Sequence, residues 1–407
     1  MGAAPEPLRV AAVQAAPVFL DRAATTRKAT ELIERAGAEG AGLVAFGEGF
    51  LPGHPVWFHL HPITHPTSIG LSSTLIDQAV TIPGPETDAV ADAARRVNAV
   101  VVLGVVERPD PRASLLYDSA LVVTPDGSVE VRRKIVPAVG ERIVFTAGAG
   151  EDVRTFETPF GPLSVLLGGE NTNPLLTAAL RAMGARVHVA CWPPHFNKPK
   201  LMPELMTITG RAVAYQNTAW VVAVAGATSA EAIERLATTD EQRALLEATT
   251  HDAASSVFAP RGAPFAGPQP GGDGILYADV DLAEGAWANL VNRHYDRPDL
   301  LRLVVDRSPR PPAMTLLEEA PISAPAPAPT TADGDADADA DADAAIRREI
   351  VDRFGERLSP AEVDELVPYV RGVRATGDRL ATLDLDGVEP DVPDDVQVTD
   401  RTAERHG

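Results

Sequence analysis

From Leu8 to about residue 310 the chain keeps alternating between two signals. One is a short run of Val, Ala, Leu and Ile. The other is a longer stretch in which apolar residues recur every three to four positions. Uninterrupted apolar runs suit strands buried on both faces, and the helical period suits helices with one buried face. Strands and helices at this spacing build a layered α/β domain.

The pattern predicts strands over 8–13, 42–46, 99–106, 163–167, 187–190 and 219–224. It predicts helices over 25–38, 87–98, 174–183 and 203–215. The first carries Ala29, Leu32, Ile33 and Ala36 on one face, and the third has Pro174 in its first turn, where proline is tolerated. Residues 120–131, with Asp126-Gly127 at the turn, read as a β-hairpin.

With 407 residues, 45% of them hydrophobic, the chain can bury a large core and has room for two domains. A net charge of −21 makes it a poor ligand for nucleic acid or an anionic membrane. The most apolar stretch, 220–227, is too short to cross a bilayer. Cys191 is the single cysteine, so no intrachain disulfide forms, which fits a reducing compartment. Met1–Pro7 lacks the basic and apolar regions of a signal peptide, and a cytoplasmic setting is expected.

Composition changes after about residue 310. Ala-Pro repeats give way to Ala-Asp repeats carrying Asp333, Asp335, Asp337, Asp339, Asp341 and Asp343. Such a segment buries no apolar area and reads as a solvated tether. Beyond it, Ser359-Pro360-Ala361-Glu362 forms a capping box, followed by Val363, Leu366, Val367, Val370 and Val373 at helical spacing. One stripe on so short a unit calls for a surface to dock on. The expected division is 1–310, a linker over 311–345, and a small helical unit over 346–407.

Three segments carry the types of residue that break amides or nitriles, where a nucleophile, a proton-moving carboxylate and a cation are needed. Glu48 follows the apolar strand 42–46, where burial raises a carboxylate's pKa and suits a general base; its bland reading is a solvated loop glutamate. Lys134 follows the hairpin, with Glu141 and Arg142 beyond it; alone, it reads as a basic surface turn. Strand 163–167 runs into Gly168-Gly169-Glu170-Asn171-Thr172-Asn173-Pro174 and then a helix, the shape of a nucleophile elbow. His54, His59, His61 and His65 crowd one loop, but their spacing fits no metal-ligand pattern, so a cavity rim is the preferred reading and no metal is expected.

In order and spacing these segments resemble the nitrilase branch of the carbon–nitrogen hydrolases, over about three quarters of the chain. Val13-Gln14, Trp192-Pro193, Ala266-Gly267-Pro268 with residues 274–279 (a late hairpin) and residues 294–299 extend the resemblance. It implies a four-layer α–β–β–α sandwich, homo-oligomers and no organic cofactor. It makes Glu48 the general base, Lys134 the electrostatic stabiliser and Glu141 a positioning carboxylate. Trp57, Glu170, Asn171, Trp192 and Pro193 are expected around the substrate. Gly168 falls where the family keeps its nucleophilic cysteine, and thioester chemistry is impossible there. Gln216 stands where the family carries glutamate. Cys191 reads either as a relocated nucleophile or as inert packing.

The terminal unit, through 358–363 and 383–390, resembles the small C subunit of the tRNA-dependent glutamyl/aspartyl amidotransferase, which implies an amidase-signature partner. Two functions follow. One is an enzyme acting on a C–N bond of a small nitrile or amide with altered chemistry. The other is an inactive homologue that binds a ligand or recruits a partner.

Overall fold

The computed structural model describes residues 7–112, 115–194, 200–250, 252, 254–292, 297, 299–308, 336–354 and 358–381. The chain divides into two units, 1–315 and 316–407.

The first unit runs β1 (Leu8–Gln14), α1 (Arg22–Ala38), β2 (Leu43–Phe46), α2 (Pro66–Gln78), α3 (Pro85–Val97), β3 (Val100–Glu107), β4 (Tyr117–Val123), β5 (Val129–Arg133), β6 (Leu163–Leu167), α4 (Pro174–Ala182), β7 (Val187–Trp192), α5 (Leu201–Asn217), β8 (Trp220–Ala225), α6 (Ala230–Leu236), α7 (Asp240–Thr249), β9 (Ser256–Ala259), β10 (Ala263–Ala266), β11 (Gly274–Val280) and α8 (Leu282–Asn292). One sheet has the order β11-β1-β2-β3-β4-β5 and the other β10-β9-β8-β7-β6. β1, β2 and β3 are parallel, as are β6, β7 and β8; antiparallel strands complete both sheets.

The strands explain why the apolar runs are unbroken. Val10 and Ala12 of β1, with Val100 and Val102 of β3, face Val189, Cys191 and Val222 of the opposite sheet. Their neighbours Ala11, Val13, Val101 and Leu103 face the other way, onto Ala29, Ile33, Ala36, Val90 and Ala94 of α1 and α3. Alternate residues thus enter different cores, and both must be apolar. On the second sheet's outer face, Ala190, Val221 and Ala223 pack on Met206, Val213 and Ala214 of α5. The result is the expected α–β–β–α sandwich.

Residues 263–280 depart from the expected late hairpin. β10 closes the second sheet, while β11 pairs with β1 in the first. The segment crosses between sheets because β1 offers β11 a seven-residue register, from Leu8↔Val280 to Gln14↔Gly274. Most of the signature at 294–299 lies outside the described residues.

The second unit holds α9 (Ala336–Phe354) and α10 (Pro360–Ala381). α9 begins within the segment expected to be tether. Alanine is the strongest helix former, and aspartates near a helix N-terminus complement its dipole. Asp343 also pairs with Arg371, and Glu349 with Arg374. The stripe on α10 finds its cover here: Val363 and Val367 pack on Ile346 and Ile350. Ser359 and Glu362 make the expected reciprocal cap. The phrase at 383–390 lies outside the described residues. No helix is long and apolar enough to cross a membrane, among the described residues.

Candidate functional site

Glu48 sits in the turn just past β2, its N–H bonded to the carbonyl of Trp192 at the end of β7 (3.1 Å). That turn lies directly on β3. A Cβ on Gly104 would come within 2.8 Å of the Glu48 Cα and closer still to its neighbours' backbone, so only glycine fits there. Lys134 follows β5, and Glu141 lies in a short 3-10 turn, Val139–Ile143, beyond it.

These three meet. The Lys134 ammonium, fully buried, bonds Glu48 Oε1, Glu141 Oε2 (2.6 Å) and Asp118 Oδ2 (3.3 Å). Burial acts to lower the lysine's pKa, but the three carboxylates, Glu48 foremost, outweigh it and hold the proton firmly. Burial raises Glu48, against the pull of Lys134. Asp118 is pushed well above the usual carboxylate range, by burial first and then by Glu48. Glu141 goes the other way, to about 2: its burial is overcome by His54 and Lys134. Donor atoms of Glu48, His54, Asp118 and Glu141 lie within 4.8 Å of one another, as in a metal cluster, yet the Lys134 ammonium already bonds to the three carboxylates as their cation.

Sequence reasoning passed over Asp118 and His54 as parts of this cluster. Asp118 is an acid inside a wholly buried strand, and a buried charge without an evident partner is a signal in itself. His54 Nε2 stands 3.5 Å from Glu141 Oε1 and 3.7 Å from Glu48 Oε1, fully buried. His61 is buried on the carbonyl of Leu236 (2.7 Å), and His65 caps α2, so neither joins the carboxylate cluster that His54 enters.

The elbow is as expected: β6 turns through 168–172 into α4, capped by Asn173 Oδ1 accepting from the N–H groups of Leu175 and Leu176. Gly168 has φ +47, a left-handed conformation that L side chains resist, and a Cβ there would lie 2.5 Å from Glu48 Oε2. Among the described residues no N–H or alcohol hydroxyl bonds that oxygen, while the raised Asp118 carboxyl hydrogen-bonds to the Glu48 carboxylate. A cavity of about 200 Å³ opens beside Gly168, walled by His59, Glu141, Trp192, Pro193, Met202 and Leu205 among others. Burial, then His54, lowers His59 to about 4, so it is neutral near pH 7.

Trp192 and Pro193 line the cavity, whereas three other residues named from the sequence do not. Trp57 is buried among Phe19, Leu71 and Leu75 and donates to Ser72 Oγ (3.1 Å), because its loop folds over the α2 face. Glu170 turns inward, pairing with Arg132 and accepting from the N–H groups of Ile135 (2.7 Å) and Val136 (3.2 Å), which ties the elbow to the lysine's strand. Asn171 donates to the Gly168 carbonyl (2.9 Å) and accepts from His188 Nε2 (2.9 Å), whose Nδ1 takes the Ser164 hydroxyl (2.8 Å). Gln216 is exposed on α5. Cys191 lies in the core between the sheets, and burial, with Glu48 and Asp118 adding to it, pushes its thiol far up. It packs in that core, and strand alternation turns it away from the cavity that Trp192 faces.

The profile of the family described as carbon-nitrogen hydrolase matches residues 9–288. The chain is 37% identical over 327 residues to a nitrilase of Pseudomonas syringae pv. syringae, covering 78% of this chain and 95% of that protein. It is 34% identical over 338 residues to an arylacetonitrilase of Macrophomina phaseolina, covering 77% and 95%. A carbon-nitrogen hydrolase from Helicobacter pylori shares the fold, with TM-score 0.57 and 19% identity over 72% of this chain and 96% of that one.

Proposed function

Since the chain belongs to the carbon–nitrogen hydrolase family, we propose that it acts on small nitriles or amides through a water activated by Glu48. The carrying observation is the Glu48 carboxylate: bound to Lys134 through Oε1, it turns Oε2 towards Gly168. A water within reach of that oxygen would stand near the substrate carbon and lose its proton to a carboxylate whose pKa burial has raised, as a general base requires. Lys134 supplies fixed positive charge for the anion that develops. The largely apolar wall of Trp192, Pro193, Met202 and Leu205 suits a neutral substrate with an apolar group, in keeping with relatives named nitrilase and arylacetonitrilase.

Replacing a covalent nucleophile by water costs orders of magnitude in rate, so turnover is slow. The test is consumption of a panel of nitriles and amides by the natural chain and by Glu48→Gln. Loss of about 100-fold or more in the variant is expected for a general base. Equal consumption by both would sink the reading.

A second reading has Gly168 in its favour: a non-catalytic subunit that holds a ligand and recruits an amidase-type partner through its terminal helices, where Val351 and Tyr369 are exposed. Deleting residues 336–407 and finding the same co-purified proteins would count against it.

A further inference from the structure

Turning a nitrile into an acid and ammonia takes two successive attacks on one carbon, and the second expels nitrogen. A side-chain thiol carries a substrate through both, because the carbon stays bonded to the protein in between. Gly168 has no side chain, and the one thiol, Cys191, is walled off between the sheets. Among the described residues, none that walls the cavity carries a thiol or hydroxyl to keep hold of the carbon after one water has added.

We infer that the natural chain adds a single water to a nitrile and stops at the amide, so that its chemistry is hydration with no nitrogen released. The inference rests on the reading above, with Glu48 as base.

The water oxygen attacks the nitrile carbon and forms the C–O bond. One C–N π pair moves onto nitrogen, and the water's proton passes to Glu48. The same proton then goes from Glu48 to nitrogen, giving an imidic acid that tautomerises to the amide. One water is consumed and Glu48 is restored as a carboxylate.

The amide then survives for two reasons. Resonance makes its carbon a poorer electrophile than a nitrile's. Its nitrogen also departs only when protonated, which requires an acid in the right state. Among the described residues that wall the cavity, the titratable groups are in the wrong ones, and the raised Asp118 carboxyl is not part of that wall. Glu141 stays ionised down to about pH 2, with Oε2 accepting from Lys134 and from the Ala138 N–H (2.6 Å). His59 is neutral above about pH 4. Lys134 is held protonated by three carboxylates and parts with its proton reluctantly. Glu48 gains a proton only when a water has attacked, and the resonance-stabilised amide carbon resists that attack. An assay for ammonia would therefore miss the activity.

The experiment incubates the full chain with phenylacetonitrile in ¹⁸O-water and follows nitrile, amide, acid and ammonia together; phenylacetamide is the parallel substrate. The expected result is amide bearing one ¹⁸O, formed in step with nitrile lost, with ammonia at the blank level and phenylacetamide untouched. Acid and ammonia as main products, or consumption of phenylacetamide, would overturn the inference and leave the proposed function standing. No loss of either substrate would remove both.

Discussion

Glu48 Oε2 lies 2.5 Å from the point where a Cβ on Gly168 would begin. The relation has two consequences. The proposed base is aimed at the elbow position where the resemblance places a nucleophilic cysteine, and any side chain placed there must push that carboxylate aside.

Gly168→Ala tests the second consequence. At φ +47 an L side chain costs about 1–2 kcal/mol, and Glu48, being the far end of a flexible side chain, moves at modest further cost. A lower urea midpoint with an unchanged m-value is expected. An alanine variant as stable as the natural chain would mean that the elbow relaxes freely. Gly168→Cys carries the same strain yet restores a thiol beside the base, and it should release ammonia from nitriles faster than the natural chain does.

Lys134→Met removes the cation from three buried carboxylates, a change that typically costs about 3–5 kcal/mol. The loss should depend on pH. Glu48 and Asp118 already bind protons more tightly folded than unfolded, so their contribution to stability is present at low pH and is lost as pH rises through their folded values. Without Lys134 both rise further. Urea unfolding at pH 5 and pH 8 should show the variant losing more ground at pH 8; equal losses would contradict this electrostatic account.

His188 gives the opposite slope. Burial, then Arg132, lowers it to about 3, so the folded ring stays neutral while the unfolded one gains a proton below about 6.5. Its contribution to stability is therefore lost as pH falls between those two values. His188→Gln keeps a donor for Asn171 and an acceptor for Ser164. It should flatten the fall in stability between pH 6 and pH 4. An unaltered slope would place the acid sensitivity elsewhere.

The layers were legible because strands with two buried faces leave unbroken apolar runs, and Glu48, Lys134 and Glu141 each follow a recognisable element. Asp118 and His54 were not, since what marks them is burial beside charges from distant segments. Glu170 and Asn171 lie next to Gly168 in sequence but turn away from it, because the elbow spends both on holding its own shape. α9 hid in a repeat whose acidity suggested a tether, while its alanines and its pairing with α10 favour a helix.

Cys191 supplies the last test, since a relocated nucleophile and a packed thiol behave differently. It is fully buried between the sheets, with Val189 and Val222 as neighbours in the same core, and burial together with the nearby carboxylates keeps it protonated. A neutral alkylating reagent needs both access and thiolate, and the folded chain offers neither. The native protein should resist modification, and it should become labelled only in denaturant. Cys191→Ala leaves a small cavity, costing roughly 1–2 kcal/mol on the scale of modest core truncations. Nitrile consumption by the folded variant should match the natural chain's. Rapid labelling of the native protein, together with loss of that consumption, would return Cys191 to the chemistry.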